Sequence, residues 1–322
     1  MPSLWFLTYN HVSLLFPSWS TSSPGHGCSS MRREKQVVRD FYDLYGWEKS
    51  VDGVYKDTSA FVDRRPVLDG YRHRTHMRVS KFLLAQGEYF LDAGCGAIPH
   101  REYLEYSRGY RHRVCVDLSE RALKEARAKL GDHGLYVVAD VTNLPLANGT
   151  IDGAVSAHVL YHVPYDEQEA GVRELYRTLA RGRVGVIIYT WPDYWYSWLR
   201  RRYVWLCMLL GRLPGVRDAW NVIRMIAGKH RQAPGNEQRA TGGERPPLYF
   251  RPHDRRWFRL TFGAKVSMEI RAWRSVDRLF TERMIPNNSL GRFLLAVILR
   301  CEDLFPHLLG RIGRYPLIIL RK

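Results

Sequence analysis

Three aspartates follow three successive apolar segments, at positions where their carboxylates could bind one shared ligand. They are Asp92, Asp117 and Asp140. The apolar segments that precede them are Tyr89–Leu91, Arg113–Val116 and Leu135–Ala139. These segments are short and alternate with amphipathic stretches, which predicts parallel strands connected by helices. Because the carboxyl ends of such strands open onto one crevice, we expect the three acids to converge there.

The sequence around two of these acids indicates what they could bind. Asp117 lies 21 residues beyond Gly96, and a carboxylate at that strand end can accept two hydrogen bonds from ribose hydroxyls. Asp140 precedes Val141, so a carboxylate and a backbone N–H are available together for the amino group and a ring nitrogen of adenine. Asp117 could instead cap the helix that begins near Glu120, and Asp140 could be a turn residue.

A glycine-rich turn connects the first predicted strand to the next helix. Its sequence is Asp92-Ala93-Gly94-Cys95-Gly96. Two glycines two residues apart let the backbone approach a ligand closely and point N–H groups at it. The motif is weak on its own, since nicotinamide dinucleotides use a similar turn, although a tight GxGxxG is absent here.

Two histidines follow the fourth predicted strand, Ile151–Ser156. They are His158 and His162, and a helical turn would place both on one face, as a metal pair requires, but no third ligand is evident. His162 is the better candidate for a general base, because a neutral imidazole near pH 7 can take a proton from an attacking hydroxyl. Ordinary packing or hydrogen bonding is the alternative for both histidines.

The elements that must position these residues predict an α/β, doubly wound, mostly parallel sheet. Five strands alternate with helices up to Thr190, and two more strands, Val266–Trp273 and Tyr315–Leu320, follow after an interruption. Pro316 in the last strand suits an antiparallel closing strand. We therefore expect seven strands, an antiparallel closing strand and a helical insertion after the fifth strand.

Composition divides the chain into four predicted parts. Residues 1–30 carry no Lys, Arg, Asp or Glu, and we expect a disordered leader there. Residues 31–190 form the predicted adenosyl-binding core. Residues 191–250 form a basic, aromatic insertion or lid, and residues 251–322 supply the closing strands with a helical insertion.

The order of these motifs resembles that of class I S-adenosylmethionine-dependent methyltransferases, in the small-molecule group that includes quinone-pathway enzymes. The resemblance covers roughly residues 35–190 and the closing strands. It includes Leu144-Pro145-Leu146 before the fourth strand and the segment Ser156–His162 after it. Two positions depart from the family: Ile98 replaces a third glycine, and Arg181-Gly182 replaces a Pro-Gly pair.

The resemblance implies a Rossmann-like methyltransferase sheet with S-adenosylmethionine as cofactor and no metal. It places these residues in the cofactor site: Asp92, Ala93, Gly94, Cys95, Gly96, Asp117, Leu118, Asp140, Val141 and Ala157. Tyr42 and Tyr45, on the helix before the first strand, could cover the sulfonium with their aromatic faces or pack on the sheet. Because Ile98 replaces a glycine, the methionine end of the cofactor could be held differently.

The charge distribution separates a neutral core from a basic annex. The net charge is +17, and residues 191–322 hold 25 basic and 10 acidic side chains, against 24 and 22 in residues 31–190. Eight Trp and Tyr side chains lie between residues 189 and 205, around three consecutive arginines. Such a segment could form an acceptor lid, a peripheral membrane contact through residues 191–214, or a nucleic-acid contact, which is the least favoured of the three.

These patterns predict methyl transfer to a small, lipophilic or anionic acceptor by in-line displacement. The alternative is an RNA-binding or RNA-modifying protein that uses the same adenosyl fold. Five scattered cysteines without a CxxC pair favour a reducing, cytoplasmic location. The basic annex could in addition associate the protein with a membrane surface. No apolar run approaches the about 20 residues of a membrane-spanning helix.

Overall fold

The structure, a computed structural model, describes residues 31–195, Ser197 and residues 246–322. Its seven strands are β1 Gly87–Ala93, β2 Tyr110–Asp117, β3 Gly134–Val138, β4 Ile151–Ala157, β5 Leu179–Ile188, β6 Ser267–Arg274 and β7 Tyr315–Arg321. They form one sheet in the order β3-β2-β1-β4-β5-β7-β6.

Helices fill the connections between these strands. Those described are α1 Arg33–Phe41, α2 Lys56–Phe61, α3 Asp69–His76, α4 Arg101–Glu105, α5 Glu120–Leu130, α6 Gln168–Thr178, α7 Arg255–Phe262, α8 Arg278–Met284, α9 Ser289–Leu304 and α10 Pro306–Ile312. A π-helical turn, Tyr42–Gly46, extends α1. No helix among the described residues is both long and apolar enough to cross a membrane.

The sheet has the predicted doubly wound, mostly parallel arrangement. Strands β1 to β5 pair in parallel, and β7 pairs antiparallel with both β5 and β6. The antiparallel closing strand is therefore confirmed. Because β6 is antiparallel to β7, it runs in the same direction as β5. The carboxyl ends of β1 to β6 thus lie along one edge of the sheet, which we call the carboxyl edge.

Hydrophobic layers cover both faces of the sheet, as expected for a central parallel sheet. Leu91 and Ile318 belong to the layer on one face, whereas Phe90 and Ile319 belong to the layer on the other. Neighbouring residues of a strand point to opposite faces, so apolar runs in β1 and β7 serve both layers. This packing holds the strand ends in place.

Some elements differ from their predicted bounds. The apolar positions Met77, Phe82 and Leu83 predict one helix from Tyr71 to about residue 85, but α3 ends at His76 and is followed by a short turn at Val79–Lys81. Arg78 lies at this break, and its guanidinium is buried in an ion pair with Glu302 of α9. The division of the chain at residues 30, 190 and 250 stays a prediction, and residues 1–30 and most of 191–250 lie outside the described residues.

Candidate functional site

The glycine turn after β1 needs two residues without side chains. Gly94 and Gly96 have φ angles of +77° and +54°, in the left-handed region that glycine adopts without strain. A Cβ on Gly94 would lie 2.3 Å from a methyl carbon of Val159, and a Cβ on Gly96 would lie 2.5 Å from the Trp47 ring. The turn is therefore packed closely by Val159 and Trp47, and only glycine fits at either position.

Ile98 keeps the backbone shape that a glycine would adopt at its position. Its φ is +50°, which is strained for a β-branched residue. The Lys129 ammonium donates hydrogen bonds to the carbonyls of Ala97 (2.6 Å) and Ile98 (2.8 Å). Burial lowers the pKa of this ammonium to about 8. The Lys129 side chain thus stabilises the left-handed backbone at Ile98, the position where the family has a glycine.

Asp92 lies within β1, and its carboxylate is bound inside the protein. The side chain of Arg113 on β2 is fully buried and pairs with Asp92, donating from Nε at 3.1 Å and from Nη2. Nη1 of Arg113 donates to the carbonyl of Tyr103 at 2.6 Å. Asp92 therefore holds a buried ion pair at the start of the glycine turn, and its contact with the cofactor stays a prediction.

Asp117 connects the end of β2 to the glycine turn. Its Oδ2 accepts a hydrogen bond from the N–H of Gly96 at 2.9 Å, and its Oδ1 accepts one from the N–H of Ser119 at 2.9 Å. Ser119 caps α5, so Asp117 is not needed as the cap. Burial raises the pKa of Asp117 to about 6. Leu118 is partly buried beside it.

Asp140 follows β3 and meets a lysine of the first helix. Lys35 of α1 lies 2.5 Å from Oδ2 of Asp140 and also pairs with Glu167. The N–H of Thr142 donates to Oδ1 of Asp140 at 2.9 Å, while Val141 is buried. The pKa of Lys35 is raised, because hydrogen bonds to the two carboxylates outweigh its burial. Lys35 ties α1 across the strand ends, and no sequence motif indicated this contact.

The two predicted tyrosines differ in their neighbours. The Tyr42 ring stacks on Trp47 with 5.1 Å between centroids and lies 6.2 Å from the His162 ring. Trp47 is also the residue that closes over Gly96. Both tyrosines contact Phe41, but the Tyr45 ring also has the Lys56 ammonium as a neighbour, at 5.1 Å from its centroid. Tyr42 and Trp47 thus lie beside the glycine turn and the segment after β4, and sequence reasoning missed Trp47.

His158 and His162 occupy different surroundings after β4. Ala157 ends β4, and His158 follows with a φ of +64°, its ring 4.8 Å from that of Trp273 between centroids. His162 lies 2.7 Å through Nδ1 from the carbonyl of Tyr249. A carbonyl can only accept, so Nδ1 carries the proton and Nε2 of the neutral ring is a proton acceptor.

Both imidazoles are neutral near pH 7. Burial lowers the pKa of His158 to about 3 and that of His162 to about 4. His162 is consequently available as a base but a weak one, since proton transfer is most efficient near the pKa of the catalyst. Within residues 31–195, 197 and 246–322, no three His, Cys, Asp or Glu side chains are grouped to hold a metal ion.

Comparisons with known proteins agree with this geometry. The family described as "Methyltransferase domain" matches residues 91–187, from β1 to β5. A comparison with curated protein sequences returned no match. A solved structure of geranyl diphosphate C-methyltransferase from Streptomyces coelicolor A3(2), with Mg²⁺, geranyl diphosphate and S-adenosyl-L-homocysteine, is 16% identical. That alignment covers 90% of this chain and 98% of that chain, with a TM-score of 0.50.

Two archaeal proteins are also similar. A SAM-dependent methyltransferase from Archaeoglobus fulgidus is 17% identical over 83% of this chain and 98% of that chain, with a TM-score of 0.44. One from Methanosarcina mazei is 16% identical over 76% and 96%, with a TM-score of 0.47. Residues 91–187 therefore form a methyltransferase domain of the class I, S-adenosylmethionine-dependent kind, a class that uses S-adenosylmethionine as its cofactor.

Proposed function

We propose that the chain transfers a methyl group from S-adenosylmethionine to a small, lipophilic or anionic acceptor by in-line displacement. The observation that carries this proposal is the contact of Asp117 with Gly96, which brings the acid after β2 against the glycine turn after β1. Asp140 follows the neighbouring strand at the same edge of the sheet. The family match over β1 to β5 supports the same reaction class.

The residues at the carboxyl edge fit this cofactor. The turn at Gly94 and Gly96 leaves no room for a Cβ, and its bare backbone would let the methionine end of the cofactor approach closely. Asp117 would bind the ribose hydroxyls, and Asp140 with Val141 would bind the adenine edge. We include the other predicted positions in this site: Ala93, Cys95, Leu118, Ala157, Tyr42 and Tyr45.

The protein has to position the reactants, exclude water and accept a proton. S-adenosylmethionine supplies a methyl group activated by its positive sulfonium. Packing of Tyr42 on Trp47 shields the glycine turn from water, which favours a displacement in which the positive charge of the sulfonium is dispersed and a neutral thioether leaves. Nε2 of His162 would take the proton of a hydroxyl acceptor. His158, directly after β4, would orient the acceptor.

Removing the Asp117 carboxylate should weaken cofactor binding. Calorimetric titration with S-adenosylmethionine and S-adenosylhomocysteine should show about 100-fold lower affinity in Asp117→Ala, because two charge-assisted hydrogen bonds to ribose are lost. The melting temperature should also fall by a few degrees, because the buried N–H groups of Gly96 and Ser119 lose their acceptor, so the affinities are compared at a temperature where both proteins are folded.

Asp132→Ala is the matched control, because Asp132 is exposed and lies outside the proposed site. Its affinity for both ligands should equal that of the wild type. Failure of the wild-type protein to bind either ligand would refute the proposed function.

Cofactor affinity should also depend on pH through Asp117. The ionised carboxylate accepts both ribose hydrogen bonds, and its pKa of about 6 leaves it largely protonated at pH 5. Affinity for S-adenosylhomocysteine should fall by about tenfold between pH 7.5 and pH 5. The pKa values of His158 and His162, about 3 and about 4, keep both rings neutral in this window. An equally steep pH profile in Asp117→Ala would show that another group is responsible.

Two wider parts of the proposal concern the basic annex. The first is peripheral membrane contact of a cytoplasmic protein through residues 191–214, most of which lie outside the described residues. Liposome flotation with and without this segment tests it. The alternative function, RNA binding or modification, rests on the excess of basic residues after position 190. Affinity for RNA should then fall steeply with salt, whereas cofactor affinity should not.

A further inference from the structure

The end of β6 brings an arginine to the carboxyl edge beside the proposed reaction site. Arg274 is the last residue of β6, which runs in the same direction as β4 and β5. The preceding residue, Trp273, contacts His158 after β4 at 4.8 Å between ring centroids. Arg274 therefore lies near His158, the residue proposed above to orient the acceptor.

A β-bulge sets the direction of these two side chains. Ala272 pairs with Pro316, but the next pair is Arg274 with Tyr315, so Trp273 is an extra residue in β6. Bulges of this kind re-aim side chains at the ends of sheets. The Arg274 guanidinium carbon lies 4.6 Å from the Trp273 ring centroid and 5.9 Å from that of Tyr315.

Two hydrogen-bond donors at this bulge have no acceptor. In the part of the chain that the structure describes, the guanidinium of Arg274 has no carboxylate or carbonyl partner, and its Nε is buried. The indole Nε1 of Trp273 is likewise buried without an acceptor. By contrast, the buried guanidiniums of Arg78 and Arg113 are each bound to a carboxylate. A buried donor without an acceptor is costly, so these two indicate a missing ligand with acceptor oxygens.

Several ionisable side chains lie near Arg274, and three of them are histidines. His158, His76 and His100 are neutral: the pKa is about 3 for His158, about 4 for His76 and well below the usual value for His100. Burial is the main cause in each, and the charge of Arg274 contributes. Two nearby carboxylates are already engaged, Glu102 by His73 and Glu302 by Arg78.

Aromatic side chains complete the wall around the guanidinium. Tyr71 lies 5.9 Å from its carbon, on the side of α3, in addition to Trp273 and Tyr315. Stacked rings hold an arginine while leaving its in-plane N–H groups free for a ligand. Arg274 is only partly buried, so a ligand can reach it.

We propose that Arg274 binds an oxyanion, a carboxylate or a phosphate, of the methyl acceptor, with the indole N–H of Trp273 as a second donor. The inference rests on the proposed function and narrows the acceptor to small anionic molecules with an apolar or aromatic body. Arg274 is then a specificity-determining residue that sets the acceptor's distance from His158.

Small probes test the site directly. The protein saturated with S-adenosylhomocysteine is titrated with benzoate, phenyl phosphate and the neutral benzamide, and binding is followed by ligand-observed NMR. At least one oxyanion should bind about tenfold or more tightly than benzamide. Arg274→Gln should remove that preference and leave benzamide unchanged. Tighter binding of benzoate than of phenyl phosphate indicates that the acceptor is a carboxylate. The reverse order indicates a phosphate ester.

Arg300→Gln is the matched control, because Arg300 is exposed on α9 and its loss also removes one positive charge. It should retain the preference for oxyanions. Arg274→Lys keeps the charge but loses the planar fork, and should bind benzoate with intermediate affinity. If Arg274→Gln no longer binds S-adenosylhomocysteine, the proposal is tested by comparing the affinity for benzoate of the wild type with that of Arg274→Lys.

Distinct results would overturn the two proposals. Equal affinity of the wild type for all three probes, or no binding of any at millimolar concentration, would overturn the anion site while cofactor binding still stood. An unchanged preference in a folded Arg274→Gln would do the same. Absence of S-adenosylhomocysteine binding by the wild type would instead remove the proposed function itself.

Discussion

Replacing Arg113 with methionine should lower the free energy of unfolding by about 3–5 kcal/mol. Methionine keeps most of the apolar volume of the arginine but leaves the Asp92 carboxylate buried without its cation. Asp92 is 4% exposed, and Arg113 also binds the carbonyl of Tyr103, which would lose its donor. Urea unfolding followed by circular dichroism measures the change.

Arg111→Met is the control for this substitution on the same strand. Arg111 pairs with Glu88, and both side chains are about half exposed, at 57% and 45%. An exposed pair of this kind contributes at most about 1 kcal/mol. Similar destabilisation by Arg113→Met and Arg111→Met would contradict a stabilising role for the buried pair with Asp92.

Replacing Glu302 with alanine should cost about 3 kcal/mol of stability. Its buried Oε1 accepts hydrogen bonds from the hydroxyl of Tyr71 at 2.8 Å and from the N–H of Ser275 at 2.6 Å. Its Oε2 accepts from Arg78 at 2.8 Å, and Arg78 also binds the carbonyl of Trp273 at 2.7 Å. Alanine would leave these donors buried without an acceptor and the cation of Arg78 partly uncompensated.

The neighbouring acid is the control for this experiment. Asp303 binds the same guanidinium of Arg78 at 2.7 Å, but its side chain is 43% exposed. Asp303→Ala should therefore cost about 1 kcal/mol or less. Equal melting temperatures of Glu302→Ala and Asp303→Ala would show that burial of Glu302 does not matter. Because Glu302 anchors the residues on both sides of Arg274, its loss should also weaken oxyanion binding.

Much of the proposed cofactor site could be predicted from the sequence, because its signals are local. Asp117 and Asp140 were recognisable as acids that follow short apolar segments, and Gly94 and Gly96 as a turn. The structure places all four at the carboxyl edge. Strand length, alternation of side chains and the backbone freedom of glycine depend on neighbours in sequence, so a single chain suffices to detect them.

Contacts between distant segments could not be predicted in the same way. Lys35 meets Asp140, and Trp47 covers Gly96, only because α1 and the turn after it pack over the strand ends. Their types and spacing also suit an ordinary helix surface. Arg274 was one of many arginines in a basic region, and only the bulge at the end of β6 distinguishes it.

The sequence by itself determined the order of strands and helices, the positions of the acids and the cofactor class they indicate. Tertiary structure alone decided which charges are neutralised inside the protein and which remain available. Asp92 is paired because the parallel register of β1 and β2 brings Arg113 beside it, whereas the described residues around Arg274 present aromatic rings to it and no carboxylate. Electrostatic energy falls with distance through the folded protein, and that distance is set by packing.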